Sequence, residues 1–157
     1  MNDRRPSSQS AEELRLRLQM AAKRIGITSD YISQLVDHFY GEIRQDPELG
    51  PIFKTAIGED WEPHLNIMKQ FWESIALNAG SYSGKPVQVH QALTSQQDAP
   101  LRQVHFARWL TLFRNALAAT APTPEAEAFF IDRAERIAQS LEMGISYGML
   151  EARTKSQ

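Results

Sequence analysis

Hydrophobic side chains recur every three or four residues along most of the chain, a spacing that predicts amphipathic α-helices. The clearest stripe lies between Thr28 and Asp46-Pro47. Threonine favours a helix N terminus and the residue before a proline disfavours helical backbone, so these residues bound a predicted helix. Its expected buried positions are Ile32, Leu35, Val36, Phe39, Tyr40 and Ile43. No strand pattern competes, and the chain is predicted to be all-α.

A leading helix is predicted before this one. Ser10 and Glu13 form a capping-box pattern, and Gly26 gives the ending that glycine favours. The face expected to reach the core carries Leu14, Leu18, Ala21 and Ile25. This helix and the polar residues before it are therefore expected to form an N-terminal extension over residues 1–27.

Helical spacing continues towards the C terminus. A short helix is predicted over residues 52–57, closed by Gly58, and the next runs over residues 60–80. A central helix is predicted to start at Pro100, and its broad apolar face predicts burial on two sides. The last helix is predicted to start after the cap residue Thr123 and to run to about residue 150. Its core face is Phe130, Ala134, Ile137, Leu141 and Ile145.

Composition removes several classes of protein. The 157 residues suit one domain, and 17 basic against 19 acidic side chains leave a formal net charge of −2. That balance disfavours nucleic-acid binding, which needs a basic surface. The absence of cysteine excludes disulfides, cysteine-ligated zinc, iron–sulfur clusters and thiol nucleophiles. Neither a membrane-spanning run nor a secretory signal is visible, so a cytoplasmic location without membrane contact is expected.

The four histidines do not fit the common metalloenzyme motifs. None of His38, His64, His90 and His105 has glutamate three residues before it, which excludes the Glu-x-x-His pairs of di-iron bundles. The H-E-x-x-H zinc motif, the glycine-rich nucleotide loops and the G-x-S-x-G nucleophile motif are also absent. His38 and Glu42 share a helix face, where a surface ion pair is expected rather than a metal site.

The remaining residues suit a flat apolar cofactor that carries one metal. Haem held by one histidine needs a neutral nitrogen ligand, an apolar slot and polar donors on its other face. His90 lies beside a proline-bounded segment, and Tyr40 and Trp109 place ring donors on predicted core faces. Two such donors could stabilise charge on a bound ligand. On the residues alone, ordinary core aromatics are the commoner explanation.

Several short motifs occur in a specific order along the chain. They are FYGEIR at 39–44, DPELGPIF at 46–53, WEPHL at 61–65, YSGKP at 82–86 followed by His90, and HFARWL at 105–110. This order resembles the group III truncated haemoglobins, the two-over-two α-helical globins, over roughly residues 30–115. The fold this implies is a two-over-two helical sandwich over residues 28–150. It would lie between the N-terminal extension and a polar C-terminal tail at 151–157.

The resemblance also implies roles for individual residues. His90 matches the proximal histidine that binds the haem iron, and Tyr40 and Trp109 match the distal hydrogen-bond donors. His64 matches a distal histidine that could donate to the ligand, swing out as a gate, bind the iron or do none of these. The positions implied to line the haem slot, besides His90, are Phe53, Leu65, Met68, Phe71, Tyr82 and Phe106.

The function implied by the resemblance is that of a haem b protein, expected to be a monomer. It would bind dioxygen or another diatomic ligand at a five-coordinate ferrous iron. Two alternatives stay open from the sequence. The same fold could be a haem enzyme for nitric oxide or peroxide chemistry, with Tyr40, His64 and Trp109 as catalytic residues and a separate reductase as electron donor. It could instead be a haem-free helical sensor or interaction domain.

Overall fold

Six helices form the part of the chain described by this computed structural model, which covers residues 8–77 and 101–155, with side chains described for residues 10–77 and 101–144. They are α1 (Ser8–Arg24), α2 (Ser29–Gln45), α3 (Leu49–Ile57), α4 (Glu62–Ala76), α5 (Gln103–Thr120) and α6 (Pro124–Lys155). No strand occurs within these ranges, and the all-α prediction is confirmed. Two residues predicted for the site, Tyr82 and His90, lie outside the described residues.

Helix α2 forms the centre of the core. Thr28 caps it, because the Thr28 hydroxyl oxygen accepts a hydrogen bond from the backbone N–H of Tyr31 at 3.1 Å. All six apolar positions predicted for its core face are buried. The spacing of these hydrophobic residues therefore predicted correctly that this segment is a helix and which of its faces packs against the core.

The helices pack as two pairs. Helix α2 packs against α4, α5 packs against α6, and α2 also contacts α5. Helix α3 bridges the pairs by contacting both α2 and α5. The central helix α5 thus lies between α2 and α6, as its broad apolar face predicted, with Phe113, Ala116 and Leu117 buried.

The leading helix differs from the prediction. Helix α1 begins before Ser10, so Ser10 lies inside the helix instead of capping it. Leu14 and Leu18 of the predicted buried face are 58% and 47% exposed. Only the C-terminal end of α1 reaches the core, through Ala22, and Ile25 packs against the core just after the helix ends. The prediction of a buried face along the whole of α1 is therefore wrong.

The ends of several helices also differ from the predicted positions. Helix α3 starts three residues earlier than expected, because the Asp46 carboxylate accepts a hydrogen bond from the backbone N–H of Leu49 at 2.8 Å. Helix α4 ends at Ala76 rather than near residue 80. Helix α5 starts after Pro100, where the Nδ1 atom of His105 accepts from the backbone N–H of Arg102 at 2.8 Å.

Helix α6 begins where its cap was predicted. The Thr123 hydroxyl oxygen accepts from the backbone N–H of Ala126 at 3.1 Å. The helix continues to Lys155, past the expected boundary at residue 150. Phe130, Ala134 and Leu141 of its predicted core face are buried. Over its described residues, neither this long helix nor any other is apolar enough to cross a membrane.

Candidate functional site

Tyr40 on α2 and His64 on α4 lie in direct contact. Their ring centroids are 5.2 Å apart and the ring planes meet at 82°. Phe53 on α3 contacts both rings, at 6.0 Å from Tyr40 and 6.5 Å from His64. Tyr40 is only 5% exposed, and the Nε2 atom of His64 is buried. Three separate helices thus bring three of the predicted site residues into one cluster.

Burial controls the protonation state of the Tyr40 phenol. Removal from water penalises the tyrosinate anion and raises the pKa of Tyr40 well above its ordinary value. Among the described residues, no hydrogen bond or charge lowers this pKa again. The hydroxyl therefore keeps its proton at neutral pH and can donate a hydrogen bond.

Trp109 on α5 joins this cluster through Phe39. The Trp109 ring meets Phe39 edge to face at 5.4 Å, and Phe39 meets Tyr40 in the same way at 5.0 Å. Trp109 also stacks on Phe113 at 5.4 Å with planes 2° apart, and Phe113 stacks on Trp72 at 5.1 Å with planes 13° apart. This stack of three rings fixes the indole of Trp109 against the buried core.

The other described residues predicted to line the slot are apolar and only partly buried: Leu65, Met68, Phe71 and Phe106. On α4, His64, Met68 and Phe71 share one helix face because they are four and three residues apart. Partly exposed apolar side chains beside a buried phenol are what a flat apolar cofactor would cover. The described residues therefore fit haem in their apolar character and in the neutral donor that Tyr40 offers.

An ion pair between the partly exposed Arg108 and the buried Asp46 carboxylate, beside Trp109, escaped the sequence analysis. The Nε atom of Arg108 donates to both carboxylate oxygens of Asp46 at 2.8 Å, and a terminal guanidinium nitrogen lies 2.6 Å from Oδ1. The Asp46 carboxylate also accepts from the backbone N–H groups of Glu48 and Leu49. The Arg108 guanidinium, with those backbone donors, lowers the pKa of Asp46 to about 2. Asp46 thereby ties the corner between α2 and α3 to α5.

Part of this ion pair was visible in the sequence and part was not. Asp46 was interpreted only as the end of a helix. Aspartate is also a typical N-terminal cap, because its carboxylate can accept hydrogen bonds from the backbone N–H groups two and three residues later. Arg108 lies 62 residues further along the chain. No local pattern connects positions so far apart.

The remaining histidines have structural contacts. His38 Nε2 lies 3.1 Å from Glu42 Oε1, the pair expected from their spacing. His105 caps α5 as described above. In residues 8–77 and 101–155, no three histidine, aspartate or glutamate side chains come together as a metal site.

The described helices pack as two pairs, and the cluster of Tyr40, Phe53 and His64 lies where α2, α3 and α4 meet. Residues 23–142 match the bacterial-like globin family. The chain is similar to the group 3 truncated haemoglobin ctb of Campylobacter jejuni, with 34% identity over 126 residues that cover 78% of this chain and 94% of that protein. It is also similar in structure to a crystal structure of the group III truncated haemoglobin from Campylobacter jejuni, with a TM-score of 0.68 and 32% identity. That match covers 76% of this chain and 91% of the other.

The chain belongs to the bacterial-like globin family, as a group III truncated haemoglobin. This confirms the resemblance found in the sequence and the predicted two-over-two globin fold. Membership of the globin family implies that the protein binds haem.

Proposed function

We propose that this protein holds haem b through His90 and binds dioxygen on the opposite face, where Tyr40 and Trp109 donate hydrogen bonds to the ligand. The observation that carries the proposal is the contact between the buried Tyr40 phenol and His64 on the facing helix. Haem held by a single histidine supplies an iron with one open face for a diatomic gas. The assignment of His90 rests on its match to the family motif.

Tyr40 is the principal donor in this proposal. Its raised pKa keeps the hydroxyl protonated, so the group can donate to a ligand that carries partial negative charge. A hydrogen bond to such a charged acceptor contributes roughly 1.5–3 kcal/mol. Since the ring is packed between Phe39, Phe53 and His64, little side-chain freedom is lost when the bond forms.

Trp109 is the second donor. An indole N–H can only donate a hydrogen bond, so this residue suits an electron-rich ligand and would not act as a base. Its stacking on Phe113 and its edge contact with Phe39 hold the ring in one orientation. A donor that is already oriented costs no reorganisation when charge develops on the ligand.

His64 is the residue whose position admits more than one role. It contacts Tyr40 directly and could donate to the ligand or bind the iron as a sixth ligand. Absorption spectra of the ferrous protein without added ligand distinguish these roles. A six-coordinate spectrum that becomes five-coordinate in the His64→Leu variant would assign His64 to the iron, whereas a five-coordinate spectrum in the unsubstituted protein would exclude His64 as an iron ligand.

The test of the proposal is haem uptake followed by carbon monoxide binding. The purified full-length chain, loaded with haem, is expected to give a ferrous spectrum that shifts when carbon monoxide is added. The variant His90→Gly is expected to lose the axial ligand and to recover the spectrum when imidazole is supplied. His38→Ala is the matched control, because His38 pairs with Glu42 on the opposite side of α2 from the core, and it is expected to leave the spectra unchanged.

Two results would contradict the proposal. Absence of haem uptake would favour the haem-free sensor or interaction domain. Unchanged axial ligation in His90→Gly would remove the proximal assignment while leaving haem binding intact.

A further inference from the structure

Helix α1 carries a large share of the exposed apolar side chains. Of the seven large hydrophobic side chains that are exposed in residues 10–77 and 101–144, four lie on α1: Leu14, Leu16, Leu18 and Met20. Most of α1 also precedes residues 23–142, the part of the chain that matches the globin family. Apolar side chains scattered singly over a surface need no explanation, but four on one helix mark a surface that binds another molecule.

One of two apolar stripes on α1 has charged ends of opposite sign. Leu16 and Met20 are 58% and 56% exposed, and they share one face because they are four residues apart. Glu12-Glu13 lies one turn before Leu16, and Lys23-Arg24 lies one turn after Met20. Steps of three and four residues connect all six positions, so they lie on or beside the same face. These six residues are here called the α1 stripe, which is acidic at one end, apolar in the middle and basic at the other end.

We propose that the α1 stripe is a self-association surface, through which two copies of this chain pack as an antiparallel helix pair. A two-fold interface uses the same surface of both copies and must therefore be complementary to itself. When the two-fold axis passes near residue 18, Leu16 of each copy packs against Met20 of the other. The acidic end of each stripe then faces the basic end of the other. The facing pairs are Glu12 with Lys23 and Glu13 with Arg24.

The charges of the α1 stripe are available for a second copy. Within the described residues, none of its four charged side chains takes part in an ion pair. Four ion pairs can therefore form between two copies without breaking any in the single chain. Exposed ion pairs are individually weak and are screened by salt, so they set the orientation of the pair more than its strength. Burial of Leu16 and Met20 supplies most of the association.

Other pairings of α1 bring like charges together. In a parallel pair, the acidic ends of the two stripes would meet each other, and so would the basic ends. The second apolar stripe contains Leu14 and Leu18, and Arg15 and Arg17 flank it on its two sides. Two copies joined through that second stripe would place arginine against arginine. Of the two stripes, the α1 stripe is therefore the one that suits a second copy.

The place of α1 in the fold leaves the α1 stripe accessible. The 17 residues of α1 span about 25 Å, and only its C-terminal end reaches the core. In an antiparallel pair, the two globin folds therefore lie at opposite ends of the paired helices. A single helix pair covers less area than the ~1,200–2,000 Å² of stable interfaces, so we expect a weak dimer with a dissociation constant of ~10–100 μM. The monomer expected from the sequence then describes the protein at lower concentrations.

Analytical ultracentrifugation of the full-length protein, with and without added haem, measures the association. The average mass is expected to rise from that of the monomer towards that of the dimer between ~1 μM and ~1 mM. Leu16→Gln is expected to weaken association at least ~10-fold, because the lost apolar contact occurs twice in a symmetric dimer. The matched control is Leu14→Gln, since Leu14 is also 58% exposed on α1 but belongs to the second stripe. Glutamine favours helix almost as well as leucine, so both variants are expected to keep α1 helical.

Charge reversal tests the pairing of the ends. A chain with Glu12→Lys and Glu13→Lys has two basic ends, and a chain with Lys23→Glu and Arg24→Glu has two acidic ends. Each is expected to associate at least ~10-fold more weakly than the unsubstituted chain, because like charges then face each other. An equimolar mixture of the two variants is expected to associate again, because every end then meets an opposite charge. High salt is expected to reduce both effects.

The absence of cysteine from the chain permits a test of orientation. The variants Leu16→Cys and Met20→Cys each carry a single thiol. When the two are mixed and oxidised, an antiparallel pair is expected to cross-link mainly one variant to the other, because a disulfide needs its two residues close together. A parallel pair would instead give cross-links within each variant alone.

Four results would overturn the proposal. The first is a monomer at every concentration up to ~1 mM. The second is equal weakening of association by Leu14→Gln and Leu16→Gln. The third is failure of the two charge-reversed variants to associate when mixed, and the fourth is cross-linking within each cysteine variant alone. None of these readouts depends on haem, so they are independent of the function proposed above.

Discussion

Two guanidinium nitrogens of Arg108 contact the Asp46 carboxylate, and this ion pair joins the corner after α2 to α5. The Asp46 side chain is almost fully buried and accepts from Arg108 and from two backbone N–H groups. Arg108 directly precedes Trp109, so the pair holds the backbone that carries the proposed second donor. A charged group buried in this way is costly unless all its partners are present.

Replacing Asp46 by asparagine is expected to lower the free energy of unfolding by about 1–2 kcal/mol at neutral pH. The folded-state pKa of about 2 lies below the value of about 3.9 for an unfolded aspartate, so this stabilisation is present above about pH 4 and is lost as the pH falls towards 2. Urea unfolding of both proteins across this pH range measures the difference. The exposed ion-paired residue Asp132 supplies the control, and Asp132→Asn is expected to change stability by less than about 0.5 kcal/mol. Equal effects of the two substitutions would contradict the role of Asp46.

Removing the hydroxyl of Tyr40 is expected to speed the release of dioxygen. A lost charge-assisted hydrogen bond of roughly 1.5–3 kcal/mol corresponds to about 10- to 100-fold in the off-rate. Stopped-flow displacement of dioxygen by carbon monoxide measures this rate in Tyr40→Phe. Tyr31→Phe is the matched control on the same helix, because the Tyr31 hydroxyl bonds to Thr120 instead. Equal dissociation rates of dioxygen in Tyr40→Phe and in the control Tyr31→Phe would contradict the assignment of Tyr40 as a hydrogen-bond donor.

The parts of this fold that local pattern determines were predictable from the sequence. The stripe of α2 and the caps at Thr28 and Thr123 depend only on residues within one or two turns. The contact between Tyr40 and His64 could not be predicted from local pattern, because that pattern does not show which helix faces pack against each other. The resemblance to a family implied that both residues lie on the distal side of the haem, which stays a prediction, and the structure shows that their rings are in contact.

The features that sequence reasoning missed depend on tertiary contacts. The spacing of apolar residues in α1 predicts an amphipathic helix. Burial of its apolar face also requires another helix to pack against it, and in the described residues α1 contacts the core only at its C-terminal end. The Arg108–Asp46 pair joins residues from different helices. The positions of Tyr82 and His90 remain expectations from the sequence, because both lie outside the described residues.

Phe113 is expected to control the orientation of Trp109. It lies between Trp109 and Trp72 in a parallel stack and is fully buried. Phe113→Leu keeps most of the volume but removes three ring contacts, the two stacks and an edge contact with Phe39, so we expect a loss of about 1–2 kcal/mol in stability. We also expect a weaker near-ultraviolet circular dichroism signal, since that signal depends on fixed aromatic rings. The comparison variant is Phe129→Leu, whose ring stacks on neither tryptophan. A near-ultraviolet change as large in Phe129→Leu as in Phe113→Leu would contradict this role.

Gly26 and Gly41 should respond in opposite directions to the same substitution. Gly26 has a φ of +89°, and a Cβ atom there would lie 2.7 Å from Cγ of Pro122. Gly26→Ala is therefore expected to cost about 1–2 kcal/mol for the backbone conformation alone, with the clash adding to that cost. Gly41 lies inside α2 with open space beside it, so Gly41→Ala is expected to stabilise by roughly 0.5–1 kcal/mol through the lower conformational entropy of the unfolded chain. Chemical denaturation of the two variants under one set of conditions compares them directly. A stable Gly26→Ala protein would mean that the turn between α1 and α2 can adopt another conformation without loss.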